Sequence, residues 1–171
     1  PSSWYNEGIK IRGGVSAARN FLITKAPHGL IICLDADDEL VNIQPLIDAY
    51  EPNTFIYGNH YEICGDSVNH HKGAPIGSLP NKLVTGVTFL FAKEDWKKVG
   101  GFDPDFAYVE DWAFMCALVN AGVRGKYLDT TVYNRYLKPE GNERTALAGS
   151  YWTFYRDMAR RKYPSVFTTN R

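Results

Sequence analysis

At 171 residues with 44% hydrophobic content, the chain is long enough to bury a core and is read as a single domain, residues 1–171. Nineteen Lys plus Arg balance nineteen Asp plus Glu, which excludes a long-range pull toward nucleic acid and an acidic tail. Cys33, Cys64 and Cys116 are far apart and form no CxxC pair, which argues against a disulfide framework and a zinc site. No apolar run approaches the roughly 18 to 20 residues of a membrane span, and no basic-then-apolar leader opens the chain. A cytoplasmic protein with no nucleic-acid partner and no membrane span is expected.

The first dozen residues hold no clear strand. Val15, Ala18, Leu22 and Ala26 recur at helical spacing until Pro27 and Gly29 close the element. Leu30 to Leu34 is a continuous apolar run, the pattern of a strand buried on both faces of an α/β sheet. A short helix is expected over 43–50 and a strand over 54–63, where β-branched and aromatic residues cluster. Residues 65–82, rich in Gly, Pro, Asn, Ser and His, read as a long loop, and 84–92 as another strand. Helices follow over 95–99, closed by Gly100 and Gly101, and over 110–121, closed by Gly122. Residues 126–136 look extended. The tail over 145–162 places Tyr151, Phe154, Tyr155, Met158 and Ala159 on one helical stripe that stops before Pro164.

Three clusters carry chemistry. Asp35, Asp37 and Asp38 sit at the C-terminal end of the apolar run, where ligands gather in open α/β sheets. Crowded carboxylates disfavour joint ionisation, and a hard divalent cation reverses that, so Mg²⁺ or Mn²⁺ sharing phosphate oxygens is the natural occupant. The plainer alternative is a solvated acidic loop or helix cap. Glu110 and Asp111 open the helix over 110–121, whose dipole favours ionised Asp111 as a proton acceptor; plain capping is the alternative. Gly13 and Gly14 precede Arg19, an arrangement that brings backbone amides and a cation to an anion or makes only a turn. His70 and His71, with His60 upstream, lack a ligand spacing and read as a solvated loop; Trp152 and Tyr155 read as core.

Taken in order, Ser16-Ala17-Ala18-Arg19-Asn20, Leu34-Asp35-Ala36-Asp37-Asp38, Thr85-Gly86 on a strand, Gly100-Gly101-Phe102-Asp103 and Glu110-Asp111-Trp112 resemble the family 2 glycosyltransferases of the GT-A fold. The resemblance covers residues 8–137. It implies a GT-A-like, Rossmann-like mixed sheet flanked by helices and an inverting, metal-assisted transfer from a nucleoside-diphosphate sugar to an acceptor hydroxyl. By the same resemblance Asp35, Asp37 and Asp38 hold Mn²⁺ or Mg²⁺ and the nucleotide, and Asp111 is the general base beside an orienting Glu110. Arg19, Asn20, Thr85, Gly86 and Arg135, the last in Tyr133-Asn134-Arg135-Tyr136, then lie along the donor. The acceptor class stays open among glycan, lipid-linked and protein acceptors.

The family's opening strand and turn, which hold the nucleotide base, have no counterpart upstream of Gly13. The fold is therefore expected to be incomplete at the N-terminus, with a further segment or another chain supplying the nucleotide-binding half. No QxxRW-like motif is present, which argues against a processive synthase. A degenerate, non-catalytic carbohydrate-binding or assembly module is the competing expectation. A metal-dependent phosphohydrolase lacks a paired nucleophile and general acid here.

Overall fold

The computed structural model describes residues 14–139 and 143–168, with the side chains of 143–146 left aside. Gly13 and the opening dozen residues lie outside the described residues. α1 (Gly14–Lys25) forms where the spacing predicts a helix, but it turns Ser16 and Ile23 into the core and leaves Leu22, on the expected apolar stripe, exposed. β1 (Leu30–Ile32) follows, shorter than the apolar run: Cys33 and Leu34 fall outside it, and Leu34 is exposed. β1 has one neighbour among the described residues, and of its three side chains only Ile31 is buried, Leu30 and Ile32 being half-buried.

β2 (Glu39–Leu40) and α2 (Gln44–Asp48), with Pro45 in its first turn, precede the long β3 (Thr54–Cys64). The expected loop over 65–82 is instead a two-residue turn, then β4 (Ser67–His71), then a 3-10 turn at Ile76–Ser78. Ser, Asn and His carry little strand preference, and pairing of His60 with His71 and Cys64 with Ser67 overrides it. The expected strand over 84–92 shrinks to β5 (Leu90–Ala92). Val84, Val87 and Phe89 are buried nonetheless, on irregular backbone.

α3 (Lys93–Val99), α4 (Glu110–Asn120), β6 (Arg124–Tyr136), α5 (Glu143–Lys162) and α6 (Pro164–Thr168) complete the order. The sheet runs β1-β5-β3-β6-β2, with β4 on β3. β3 and β6 pair in parallel, and the other pairings are antiparallel.

Period-two alternation splits the core between the two faces. Phe55 and Tyr57 of β3 and Phe89 and Phe91 at β5 pack with Trp112 and Phe114 of α4, joined by Tyr155 and Ala159 of α5. Ile56, Leu90 and Val132 face the other way, onto Leu46 of α2. Each such side chain, fully removed from water, contributes about 1.5–3 kcal/mol. Tyr151 and Phe154, expected on the buried stripe of α5, are exposed.

Candidate active site

The acidic loop after β1 is fixed from the far side of the sheet. β2 pairs antiparallel with the end of β6, Glu39 opposite Asn134 and Leu40 opposite Tyr133, which draws residues 35–38 under that strand end. The Tyr136 amide donates to Asp38 Oδ1 at 3.2 Å, the Tyr136 hydroxyl to Glu39 at 2.9 Å, and Asn134 to Glu39 at 3.2 Å. Asp38 is thereby half-buried, and its pKa is pushed up to about 6, first by burial and then by the charges of Asp35 and Asp37, against the Tyr136 amide. Among the described residues Asp37 has no hydrogen-bond or ion-pair partner. No three of the described His, Cys, Asp and Glu side chains come together so as to enclose a metal by themselves.

Glu110 and Asp111 form the opposite wall, where α4 begins. Arg19 spans the gap, its Nη2 donating to Asp35 at 2.8 Å and its Nη1 to Glu110 at 2.8 Å. The guanidinium is only 11% exposed and also lies over the Phe102 ring, 5.5 Å from its centre. Arg19, expected to reach a diphosphate, has both terminal nitrogens engaged by carboxylates instead. It neutralises the two walls and holds them in register.

Asp111 accepts a bond from the Trp112 amide at 2.7 Å. Its pKa nevertheless rises to about 6, because burial and the neighbouring Glu110 outweigh the Trp112 amide and Arg19. The helix N-terminus favours the ionised form, as expected of a first-turn carboxylate, but desolvation opposes it and is the larger effect. The result suits proton abstraction, since Asp111 stays mostly ionised at neutral pH while its basicity approaches the working range.

Both walls open onto one cleft of about 590 Å³. Asp35, Asp37, Asp38, Arg19, Glu110, Asp111, Gly86 and Arg135 all line it. Thr85 and Asn20 do not. Asn20 is structural: it donates to the Phe102 carbonyl at 2.8 Å, and its Oδ1 accepts from the Phe102 amide at 2.8 Å and from Trp96 Nε1 at 3.0 Å. Gly101, at φ 83, must be glycine, because a Cβ there would stand 2.5 Å from Asn20 Oδ1. Thr85 and Gly86 lie on irregular backbone, not on the expected strand. Gly86 has no room for a side chain, since its Cβ would collide with the Tyr133 hydroxyl.

Tyr133, Tyr108 and Trp152 also line the cleft and were not singled out as site residues. Tyr133 was readable in one respect: it lies two residues from Arg135 on an extended segment, and so on the same face. Trp152 does pack on Trp112, ring centres 4.8 Å apart, and also reaches the cleft.

No family model and no curated protein sequence matches the chain. Among solved structures it is similar to the crystal structure of S. aureus TarS, a glycosyltransferase, with a TM-score of 0.51 at 17% sequence identity. The match covers 75% of this chain and 25% of that one, so the present chain spans a quarter of the neighbour's length. No helix among the described residues is long and apolar enough to cross a membrane. What the likeness establishes is the fold: a mixed α/β sheet flanked by helices, shared with a glycosyltransferase structure.

Proposed function

We propose that this chain carries the metal-side and base-side walls of an inverting glycosyltransferase, which moves a sugar from a nucleoside-diphosphate donor to an acceptor hydroxyl. The observation that carries the reading is that Asp37, Asp38 and Asp111 face one hollow from two walls bridged by Arg19. Asp111 takes the proton of the acceptor hydroxyl. The oxygen attacks the anomeric carbon from the face opposite the diphosphate, whose C–O bond breaks as the new one forms, and the configuration inverts. Glu110, held by Arg19, orients the base.

Asp37 and Asp38 fit a Mg²⁺ or Mn²⁺ ion of the kind that takes one or two carboxylates and completes its shell with water and phosphate oxygens. Asp35 has one oxygen held by Arg19 and offers at most the other. Such an ion supplies, when bound, positive charge for the departing diphosphate. Arg135, a third exposed on the same cleft, is the cation placed to meet that anion. A glycan, lipid-linked or protein acceptor is compatible with the open cleft.

The reading is tested by release of nucleoside diphosphate from nucleotide sugars in the presence of Mn²⁺. The parent turns over, and Asp37→Asn and Asp111→Asn, with unchanged circular dichroism, do not. Undiminished turnover in both variants rejects the assignment.

A further inference from the structure

Beside the cleft lies a second hollow of about 250 Å³, well above the roughly 30 Å³ that one water takes up. The two share the wall made by Leu83, Gly86, Tyr133 and Arg135. Their charges are opposite. The cleft is lined by Asp35, Asp37, Asp38, Glu110 and Asp111 against Arg19 and Arg135, whereas the side pocket is lined by Lys72, Lys82 and Arg135 against Glu62 alone.

The β3–β4 hairpin builds this pocket. His60 stacks between His71 and Tyr133, ring centres 5.2 Å and 4.9 Å away. Glu62 is already satisfied: His71 lies 2.9 Å from one oxygen, and Arg135 donates to the other at 2.9 Å. Lys72 pairs with Asp129 at the exposed rim, at 3.2 Å, while the Lys82 ammonium has no ion-pair partner among the described residues. Two lining residues hold buried polar atoms without a hydrogen-bond partner, Thr85 Oγ1 and His60 Nδ1. Thr85 is only 5% exposed. Thr88 Oγ1 and Asp95 Oδ2, which line neither hollow, are likewise unpartnered, so the pocket is marked by its cationic lining and not by these atoms.

We propose that the side pocket is a subsite for an anionic group, a carboxylate or phosphate, borne by one of the two reactants whose transfer was proposed above. Lys82 is its free cation, and Lys72 and Arg135 complete a positive rim. Gly86 and Tyr133 line both hollows, so a reactant seated in the cleft would reach the subsite along this shared edge. Charge thus separates the two hollows: a cation and its diphosphate belong in one, a lone anion in the other.

Amide chemical-shift mapping of the metal-free chain with inorganic phosphate, glucuronate and glucose as probes tests the subsite without any catalytic step. Phosphate and glucuronate should shift the amides of Thr85, Gly86 and His71 saturably, glucose should not, and Lys82→Gln should weaken both anions at least threefold. Equal shifts with glucose, or anion shifts unchanged in both Lys82→Gln and Lys72→Gln, overturn the proposal. Because neither donor nor metal is present, loss of transferase activity elsewhere leaves this result standing. In turnover, a preference for a nucleoside-diphosphate glucuronate over the glucose donor that disappears in Lys82→Gln places the anion on the donor sugar. Inhibition by phosphate that is competitive with acceptor and not with donor places it on the acceptor; absence of both effects overturns the subsite's part in the reaction.

Discussion

The two hollows share a wall and differ in how they are made. The cleft is assembled from chain segments that are each short and local: the loop after β1, the start of α4, and one arginine from α1 that locks them together. The side pocket comes from strand pairing, because His60, Glu62 and His71 meet only once β4 folds back on β3 and β6 lies alongside. The first concentrates negative charge and compensates it with Arg19; the second concentrates positive charge and leaves polar atoms unpartnered. Local sequence runs therefore mark the carboxylate walls of the cleft, although pairing of β2 with β6 fixes one of them, while the side pocket depends on long-range pairing throughout.

Asp111→Asn should break this comparison hardest. Removing the base should lower turnover by about 10²–10⁴-fold, with donor binding retained, as read by single-turnover kinetics. The same change should stabilise the fold at neutral pH. Asp111 has its pKa raised to about 6 in the folded chain, so ionisation costs stability as pH climbs from about 4 through about 6. The variant should exceed the parent by on the order of 1–2 kcal/mol in denaturant unfolding at pH 7.5, and the difference should vanish near pH 4. A less stable variant at pH 7.5 would show that the carboxylate is structural.

Arg19→Ala comes next. It takes the guanidinium from the buried Glu110 and from Asp35, a loss of roughly 2–4 kcal/mol measured by the denaturation midpoint. Arg19 also lowers the Asp111 pKa. The parent's activity should fall below about pH 6 as the base is protonated, and in Arg19→Ala that acidic limb should move upward. Arg19→Lys, with one point charge for two carboxylates, should restore only part of the stability. A limb that stays in place would mean that Arg19 ties the walls without tuning the base.

These contrasts also explain what the sequence could reveal. Asp35 to Asp38 and Glu110-Asp111 were legible because each is a run of a few residues beside a periodic element, and both fall on the cleft. β3 was legible from its β-branched and aromatic content, and β6 as an extended segment over 126–136. β4 was hidden because Ser67, Asn69, His70 and His71 acquire strand structure only by pairing with β3. Val84 to Phe89 misled in the opposite sense, since apolar residues marked burial and not an extended ladder. Asn20 beside Arg19 could not be told from a ligand by position alone; its bonds go to Phe102 and Trp96, over seventy positions away, a separation that no local pattern encodes.

The smallest expected effect belongs to the side pocket. Thr85→Val replaces a buried hydroxyl that has no partner with a methyl group of nearly the same shape, which removes a desolvation cost without opening a cavity. Stability should rise by roughly 1 kcal/mol in urea unfolding. Phosphate binding, read by the same amide shifts, should change by less than in Lys82→Gln, because Thr85→Val leaves the charges lining the pocket in place. A destabilised Thr85→Val would instead mean that Oγ1 is satisfied by ordered water, and the contrast between a compensated cleft and an uncompensated pocket would then rest on charge alone.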